Sequence, residues 1–332
     1  MDVSIIIVNY HSTDMVVDCV HSILEKTAGI SYEIIVVDNA SGDGIEAKIE
    51  HEFGKQVQVV LSETNLGFGK ANNLGANHAE GKYLFLLNPD TFLVNNAIKI
   101  LFDYLEDHVE VGVVGGNLFT PDLHETSSYC LAFDSPEREK RKAGWKALIS
   151  SKITAKLQRH AGTQSVDSLC DEFNYTEEEL RVAYIFGADM MLPKKVFDEV
   201  GGFDPDFFMY AEEEEMSWRI TKAGYQIMNI PQAKIIHLEG ATVKSADAFS
   251  ERQFRMRMNG AFTYYKKCFG MDGVGKFYQY RSLRYDRLIK IAKLQGKLTA
   301  DFPPILQKQI LKDVYQELLS NYEKESSYGR SL

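Results

Sequence analysis

The chain has 332 residues, which is long enough for two domains or for one large α/β domain with an appendage. Its formal net charge of −10 argues against a nucleic-acid partner, because affinity for phosphate backbones comes from clustered cations. The four cysteines lie far apart, a pattern that excludes a simple zinc knuckle and is typical of a reducing compartment. No apolar segment approaches the roughly 18 to 20 residues that span a bilayer, so we expect a cytoplasmic protein.

The first third of the chain alternates between strand and helix patterns. Apolar, β-rich runs predict strands at 3–8, 33–38, 57–61 and 83–87. The segments between and after them predict a first helix that ends at about 25, with Thr13 or Asp14 as its N-cap, and further helices at about 45–53, 69–78 and 95–107. This alternation predicts a mostly parallel sheet with right-handed crossovers.

The strand at 83–87 ends abruptly at Asn88, Pro89 and Asp90. An unbroken apolar run is typical of a central strand that is buried on both faces, and such sheets hold ligands at the carboxyl ends of their strands. Asn9 and Asp38 follow two other strands, so we expect these polar groups to share one edge. The alternative is an ordinary strand-end turn in which Asp90 caps the next helix.

Glycines are absent from the first strand-to-helix turn, and no P-loop sequence occurs, which excludes an ordinary dinucleotide or P-loop protein. They cluster instead at 65–75, where the backbone could approach a ligand and Lys70 could meet a phosphate. A flexible connection with glycine caps is the alternative interpretation of this stretch.

From about residue 120 to residue 181 the periodicity fades, and a basic segment at 136–159 precedes an acidic one at 167–179. We interpret this region as an insertion, either a lid over the site or a peripheral helical hairpin with solvated charges. A strand at 183–192 follows, in which the small residues Gly187 and Ala188 would leave space for a ligand. A helix at 193–200 and strands at 226–230 and 234–237 are also predicted.

Four consecutive glutamates, residues 212–215, begin another predicted helix. Glu215 is placed to pair with Arg219 four residues later, which leaves Glu212 or Glu213 to face a cleft. A partly desolvated glutamate beside other carboxylates has a raised pKa, which suits a general base. The alternative is a solvated, acidic helix start.

His237 ends an apolar run in the same way that Asp90 does. A carboxylate and an imidazole at two strand ends could share a divalent ion such as Mg²⁺ or Mn²⁺. A lone histidine is, however, more often structural than a metal ligand.

The tail from about residue 245 to residue 332 is predicted to be helical. Its segment 276–297 contains seven basic residues and a single acidic one, with aromatic and aliphatic side chains between them. This composition suits a helix that lies on anionic lipid, and equally a helix that packs in a core or in a homodimer with a solvated basic face.

Eight short motifs occur in the order found in family 2 glycosyltransferases with the GT-A fold, and the chain most resembles their bacterial rhamnosyltransferase-like branch. These motifs are Val8-Asn9-Tyr10, Val36-Val37-Asp38-Asn39-Ala40-Ser41, Asn65-Leu66-Gly67-Phe68 with Asn72-Asn73, Asn88-Pro89-Asp90, Gly187-Ala188, Gly201-Gly202-Phe203-Asp204, Phe207-Phe208-Met209-Tyr210 with Glu212-Glu213, and His237 followed by Gly240. The resemblance covers about residues 3–120 and 182–265. It implies a GT-A domain at 1–245 with a nucleotide-binding half (1–118), a variable insertion (120–181) and an acceptor half (182–245), followed by a helical region at 246–332.

The resemblance also implies a role for each site residue. Tyr10 stacks on the nucleotide base, and Asp38 accepts its imide hydrogen, which favours uracil or thymine. Asp90 and His237 bind the divalent metal on the diphosphate, and Glu213, or Glu212 beside it, is the catalytic base. The other implied nucleotide-binding residues are Val8, Asn9, Asn65, Gly67, Phe68, Asn72 and Asn88, and the implied sugar pocket contains Gly187, Ala188 and Tyr210.

The implied activity is an inverting, metal-dependent transfer of rhamnose or another hexose from a dTDP- or UDP-sugar to a hydroxyl of a cell-surface saccharide or lipid-linked acceptor. Its implied location is the cytoplasm or the inner face of the membrane.

Two departures from the family pattern motivate an alternative function. Asn88 stands where the family has the first carboxylate of its DxD motif, and Glu213 stands where it has an aspartate. The alternative is a non-catalytic sugar-nucleotide-binding or assembly subunit of the same fold. A nucleotidyltransferase would need a triphosphate-binding loop after the first strand, and the chain has none there.

Overall fold

The computed structural model describes residues 1–144, 176–238, 250–299 and 302–328. The chain divides into two compact units, of which the first comprises Met1–Phe133 and Glu172–Ala246 and the second comprises Asp134–Asp171 and Asp247–Leu332. Most of the insertion predicted at 120–181 lies outside the described residues, and so does Gly240.

The first unit is built on a mixed sheet of nine strands, beside a separate two-stranded sheet. The strands in chain order are β1 (Val3–Asn9), β2 (Tyr32–Asp38), β3 (Val57–Leu61), β4 (Tyr83–Leu87), β5 (Thr91–Leu93), β6 (Val111–Phe119), β7 (Tyr129–Cys130), β8 (Leu180–Arg181), β9 (Tyr184–Ile185), β10 (Asp189–Pro193) and β11 (Gln226–His237). The large sheet has the order β3-β2-β1-β4-β10-β6-β11-β5, with β8 on β11, whereas β7 pairs with β9.

Helices cover both faces of this sheet or belong to the second unit. They are α1 (Thr13–Lys26), α2 (Ile45–Phe53), α3 (Phe68–Asn77), α4 (Ala97–Asp107), α5 (Pro136–Lys142), α6 (Lys194–Val200), α7 (Glu212–Lys222), α8 (Glu251–Leu294) and α9 (Pro303–Tyr328). The core therefore has two layers: Ile5 and Ile7 of β1 pack on one side of the sheet, and Ile6 packs on the other. Burial on both faces explains why β1 and β4 have no polar alternation.

The predicted strand ends meet at one edge of the sheet. β1 is parallel to both β2 and β4, and its register pairs Asn9 with Asp38 and Ile7 with Leu87. The polar residues that follow these three strands therefore lie at the same edge. β4 ends at Leu87, two residues before Pro89, as the sequence predicted.

Three predicted strands differ in extent from those of the structure. The single strand expected at 183–192 is two strands, β9 and β10, which are separated by a turn that contains Gly187 and Ala188. The two strands expected at 226–230 and 234–237 are one strand, β11, with a register shift between Ile230 and Lys234. An irregularity in the pairing, rather than a chain break, accounts for the polar interruption there.

The sequence analysis missed β6, although all nine of its residues are buried. Its glycines are typical of turns, but in the structure they allow close packing. A Cβ atom on Gly115 would lie 2.4 Å from Cγ2 of Ile185, and one on Gly116 would lie 2.5 Å from the carbonyl oxygen of Ala233. These glycines therefore belong in the centre of the sheet.

Two findings bear on the predicted cellular setting. Cys19 and Cys268 form no disulfide, whereas Cys130 is disulfide-bonded, which the wide spacing of the cysteines did not predict. Within the described ranges, none of the helices combines the length and the hydrophobicity that a bilayer crossing requires.

The second unit is helical, and its longest helix reverses direction. α8 is interrupted at Gly270, whose φ of 66° and ψ of −170° are not helical. Phe262 lies against Phe277, with ring centroids 5.0 Å apart, and Phe254 lies against Tyr285, at 6.4 Å. Because the residue numbers rise on one side and fall on the other, the two halves of α8 are antiparallel. Only glycine adopts the left-handed φ of this turn readily.

A buried ion pair joins α5 to the second half of α8. Arg281 donates to both carboxylate oxygens of Glu139, at 3.0 and 2.8 Å. Nζ of Lys142 lies 3.8 Å from Oε1 of the same glutamate. Burial by itself would raise the pKa of Glu139, but the charges of Arg281, Lys142 and Arg284 hold it below its ordinary value. Arg281, which the sequence placed in a solvated or lipid-facing basic stretch, is therefore a core residue.

We predict that Glu139→Gln destabilises the protein by about 3 to 5 kcal/mol, because the variant leaves the buried Arg281 guanidinium without a counter-charge. The matched control is Asp272→Asn, which breaks the surface pair between Asp272 and Lys276 and should change stability little. Urea denaturation of the two variants measures both effects. Equal destabilisation by the two substitutions would contradict this account of Arg281.

Candidate functional site

Asn9 is buried at the end of β1, and protein groups satisfy its side chain. Its amide nitrogen donates to Oδ1 of Asp38 at 3.0 Å, and its oxygen accepts from the amide and the hydroxyl of Ser12 at 3.1 and 3.0 Å. Ser12, rather than the predicted Thr13 or Asp14, is the N-cap residue of α1. Asn9 therefore orients Asp38 and the start of α1. The sequence analysis had instead expected its side chain to contact the nucleotide.

Asp38 and Tyr10 present the accessible groups at this strand end. The side-chain hydrogen bonds that Asp38 forms within the described residues reach Oδ1, from Asn9 and from the amide of Ser41, which leaves Oδ2 available as an acceptor. Tyr10 is 42% exposed, and its ring lies 4.5 Å from that of His11. An open ring beside an oriented carboxylate suits the recognition of a planar, hydrogen-bonding ligand.

The glycine stretch packs against protein. Gly67 has a φ of 80°, and a Cβ atom there would lie 1.9 Å from the carbonyl oxygen of Phe208. The amide of Phe68 donates to that same oxygen at 3.0 Å, and Oδ1 of Asn65 accepts from the Gly67 amide at 2.9 Å. Gly67 thus permits close contact with the loop that precedes α7, and its approach to a phosphate stays a prediction.

Two asparagines of α3 form hydrogen bonds to backbone groups of Phe68 and Phe203. Asn72, which was expected to bind nucleotide, is buried and donates to the carbonyl oxygen of Phe68 at 3.1 Å. Asn73 exchanges two hydrogen bonds with the backbone of Phe203, at 2.8 and 2.9 Å. The sequence analysis gave Asn73 no role, although it noted the Asn-Asn and Gly-Gly-Phe motifs that these bonds connect.

Gly187 and Ala188 do not provide the open space that was expected. A Cβ atom on Gly187 would lie 3.2 Å from two ring atoms of Phe68, so this ring occupies the room that the glycine leaves. Ala188 is buried, and its carbonyl oxygen accepts from the amide of Asn88 at 2.9 Å. Gly187 therefore makes room for the Phe68 ring, and Ala188 supports the residue that follows β4; their place in a sugar pocket stays a prediction.

Asp90 and His237 lie side by side at the end of the sheet. β5 runs antiparallel to β11, and its register pairs His237 with Thr91, next to Asp90. Nε2 of His237 is 3.4 Å from Oδ1 of Asp90. The backbone amide of Leu238 also donates to the carbonyl oxygen of Asp90 at 2.9 Å. The two residues predicted to share a metal are thus brought together from positions 147 residues apart in sequence, as the difference between their numbers shows.

This pair fits a divalent ion that also binds phosphate. The described part of the chain contains no cluster of three or more histidine, cysteine or acidic residues that could hold an ion. Mg²⁺ is commonly bound by one or two protein ligands, with phosphate oxygens and water completing its shell. Nδ1 of His237 is buried and lacks a hydrogen-bond partner among the described residues, so protein contacts do not satisfy both ring nitrogens. The donor set therefore suits Mg²⁺ or Mn²⁺ on a diphosphate.

The four glutamates of α7 occupy different environments. Glu215 accepts from Arg219 at 2.8 and 2.6 Å, which confirms the predicted pair. Glu212 is 3% exposed, and its Oε2 has no partner among the described residues, whereas Glu213 is half-buried. Burial raises the pKa of Glu212 well above its ordinary value, and the charge of Glu213 raises it further. Burial also raises the pKa of Glu213.

Backbone strain precedes these glutamates. Tyr210 and Ala211 have φ values of 74° and 69°, in the left-handed region that only glycine adopts readily. Such residues cost of order 1 to 3 kcal/mol each and persist where surrounding contacts fix them. The contacts of Phe203 and Phe208 with α3 and its preceding loop supply that constraint.

A cavity of about 700 Å³ lies beside the β1–α1 turn, and its lining includes His11, Asp43 and Lys48. None of the residues predicted to bind nucleotide is part of its lining. The predicted nucleotide edge is therefore distinct from this cavity.

Two family models match successive parts of the sequence. The model described as glycosyl transferase family 2 matches residues 4–151, and the model described as glycosyl transferase family group 2 matches residues 159–284. Together they include every residue predicted for the site.

Curated relatives are similar over much of the chain. An N-acetylglucosaminyl-diphospho-decaprenol L-rhamnosyltransferase of Mycobacterium tuberculosis is 24% identical over 61% of this chain and 66% of its own length. The rhamnosyltransferase WbbL of Escherichia coli K12 is 22% identical over 70% of this chain and 81% of its own length. The chain thus spans slightly less than two thirds of the mycobacterial relative.

Solved structures confirm the predicted fold class. The structure of GalNAc-T7 with UDP, GalNAc and Mn²⁺ matches with a TM-score of 0.55 and 15% identity, over 98% of this chain and 57% of that chain. The mixed, mostly parallel sheet flanked by helices, with a helical C-terminal region, is accordingly a GT-A fold.

We predict that Glu212→Gln stabilises the protein at pH 8 and not at pH 4. A carboxyl group with a raised pKa in the folded state favours folding when it is protonated, so its contribution is lost as the pH rises above the ordinary value of 4.5. An amide carries no charge at either pH, so the variant should gain about 1 kcal/mol at pH 8. Chemical denaturation at both pH values, with the exposed Glu63→Gln as control, tests this. An unchanged stability of Glu212→Gln at pH 8 would contradict it.

Proposed function

We propose that this chain, which belongs to glycosyltransferase family 2, transfers rhamnose or another hexose from a dTDP- or UDP-sugar to a hydroxyl of a saccharide or lipid-linked acceptor. One observation carries the proposal: Asp90 and His237 lie 3.4 Å apart at the sheet edge that also presents Asp38 and Tyr10. This edge offers a place for a base and a place for a metal-bound diphosphate. Such edges are where open α/β sheets bind ligands.

In this proposal, Asp38 and Tyr10 recognise the nucleotide base. Oδ2 of Asp38, which has no hydrogen-bond partner among the described residues, accepts the imide hydrogen of uracil or thymine, while the exposed ring of Tyr10 stacks on the base. Asn9 holds Asp38 through the other carboxylate oxygen. Adenine has no imide hydrogen, which is why the proposal favours a pyrimidine donor.

In this proposal, the diphosphate of the donor binds beside Asp90 and His237. These two side chains would hold Mg²⁺ or Mn²⁺, and the ion, when bound, neutralises charge on the departing nucleoside diphosphate. Asn88 supplies a neutral amide where the family has a carboxylate, so the protein contributes one negative charge to the metal site rather than two. Because the leaving group needs no proton, no general acid is required on that side.

The acceptor is activated by Glu213. Its carboxylate takes the proton of the acceptor hydroxyl as the oxygen bonds to the anomeric carbon, and the bond to the diphosphate breaks on the opposite face, which inverts that centre. Its half-buried position gives it access and a raised pKa. Glu212 is too deeply buried to reach an acceptor.

The proposed class of acceptor is taken from the name of a relative. The mycobacterial protein is named for a lipid-linked acceptor, N-acetylglucosaminyl-diphospho-decaprenol. We therefore include a lipid-linked saccharide among the acceptors and place the enzyme at the inner face of the membrane. A homodimer formed through the helical unit stays a prediction.

Glu213→Gln is predicted to lower kcat by about 10² to 10⁴ and to leave nucleotide affinity unchanged, because it removes the proton acceptor and no nucleotide contact. Single-turnover kinetics with UDP- and dTDP-sugars, together with calorimetric titration of UDP and dTDP, measure the two quantities. Glu213→Asp, which restores the family's residue, is the matched control and should retain activity.

Full turnover in Glu213→Gln together with its loss in Glu212→Gln would move the base to Glu212. Nucleotide binding by the unmodified chain without turnover of any donor would favour the non-catalytic binding subunit instead.

A further inference from the structure

The basic segment 276–297 contains two distinct groups of basic residues, and the first group is neutralised within the protein. Arg281 is buried against Glu139, and Lys276 pairs with Asp272 at 2.6 Å. Arg287 donates to the carbonyl oxygen of Ala143. These side chains stabilise the helical unit, so they cannot form a free basic surface.

The second group lies in the last turns of α8 and just beyond its end. Lys290, Lys293 and Lys297 are exposed, and none of them forms an ion pair within the described ranges. The sequence from Arg287 to Thr299 contains no acidic residue. Among the described residues, this end of the unit therefore carries three lysines without an ion-pair partner, on a chain whose net charge is −10.

Large apolar side chains are exposed around these lysines. Leu294 is 77% exposed, Leu298 36%, Ile305 38% and Leu306 40%. Single exposed apolar residues are common, but four of them together mark an interaction surface. We call these four residues and the three lysines the tip patch.

The members of the tip patch lie at one end of the unit because α8 and α9 are antiparallel there. Tyr278 stacks on Tyr315 with ring centroids 4.1 Å apart and an interplanar angle of 7°, and Asp286 pairs with Lys308 further along. Residue numbers rise along α8 as they fall along α9. The last turn of α8, at Leu294, therefore lies at the same end as the first turn of α9.

We propose that the tip patch docks on a membrane surface that contains anionic lipid. Exposed leucine and isoleucine side chains enter the boundary between headgroups and acyl chains, and lysines meet lipid phosphates from the same face. A second copy of the chain is the less favourable occupant, because a symmetric contact would bring two sets of three lysines together. Four residues of the tip patch belong to the segment 276–297 for which the sequence predicted lipid contact, and Leu298, Ile305 and Leu306 follow that segment.

This inference adds a membrane-binding surface to the proposed function. It rests on that function in one respect only: a lipid-linked acceptor, which lies at a membrane surface, gives the enzyme a reason to bind there. The test uses no sugar donor or acceptor, so its outcome is separate from that of the catalytic proposal. The full chain is sedimented with vesicles of phosphatidylcholine, with and without phosphatidylglycerol. We expect binding to the anionic vesicles, and weaker binding as salt rises.

Charge-removing variants identify the surface. Each lysine near an anionic surface contributes about fivefold to partitioning, so the combined variant Lys290→Gln, Lys293→Gln, Lys297→Gln should bind about 100-fold more weakly. The matched control is Lys55→Gln, Lys195→Gln, Lys312→Gln, which removes the same charge from three other exposed lysines. It should bind as the unmodified chain does.

A second variant isolates the apolar contribution. Leu294→Asn with Leu298→Asn should abolish the binding that persists at high salt, and both side chains are exposed enough to be replaced without loss of folding, which thermal melting checks. Absence of binding to anionic vesicles, equal losses in the lysine variant and its control, or a dimer that dissociates on Leu294→Asn with Leu298→Asn in analytical ultracentrifugation would each overturn the proposal.

Discussion

The antiparallel pairing of β5 with β11 is the constraint on which the candidate site depends. β5 has only three residues, yet its register with β11 sets His237 beside Asp90. β11 can reach β5 because its pairing with β6 shifts register between Ile230 and Lys234. Without the pairing of β5 with β11, Asp90 would lack His237 as its neighbour at this edge.

A second constraint connects the glutamates to the same unit. The loop before α7 is fixed by Gly67, which lets the Phe208 carbonyl approach, and by Asn73, which binds Phe203. These contacts offset the left-handed backbone at Tyr210 and Ala211. The resulting helix start buries Glu212 and leaves Glu213 half-buried, and burial raises the pKa of both carboxyl groups.

The sequence was informative about strand ends and less informative about what the side chains there contact. Apolar runs with no alternation correctly located β1, β2 and β4, and the common edge that carries Asn9, Asp38 and Asp90 follows from parallel pairing. The burial of Asn9 and Asn72 could not be predicted, because their polar side chains resemble those of ligand-binding residues until their partners are known. The room left by Gly187 is filled by Phe68, more than a hundred residues earlier, and such packing leaves no local pattern.

The most direct test of the central claim is the thermal stability of the full chain with UDP, dTDP, GDP and ADP, each with and without Mn²⁺, for the unmodified chain and for Asp90→Asn. A ligand at about 100 times its Kd adds roughly 2.7 kcal/mol, which raises the Tm by several degrees. The account predicts a shift for UDP or dTDP that requires Mn²⁺ and disappears in Asp90→Asn. A shift of equal size with GDP and ADP, a shift that survives in Asp90→Asn, or no shift with any nucleotide would contradict it.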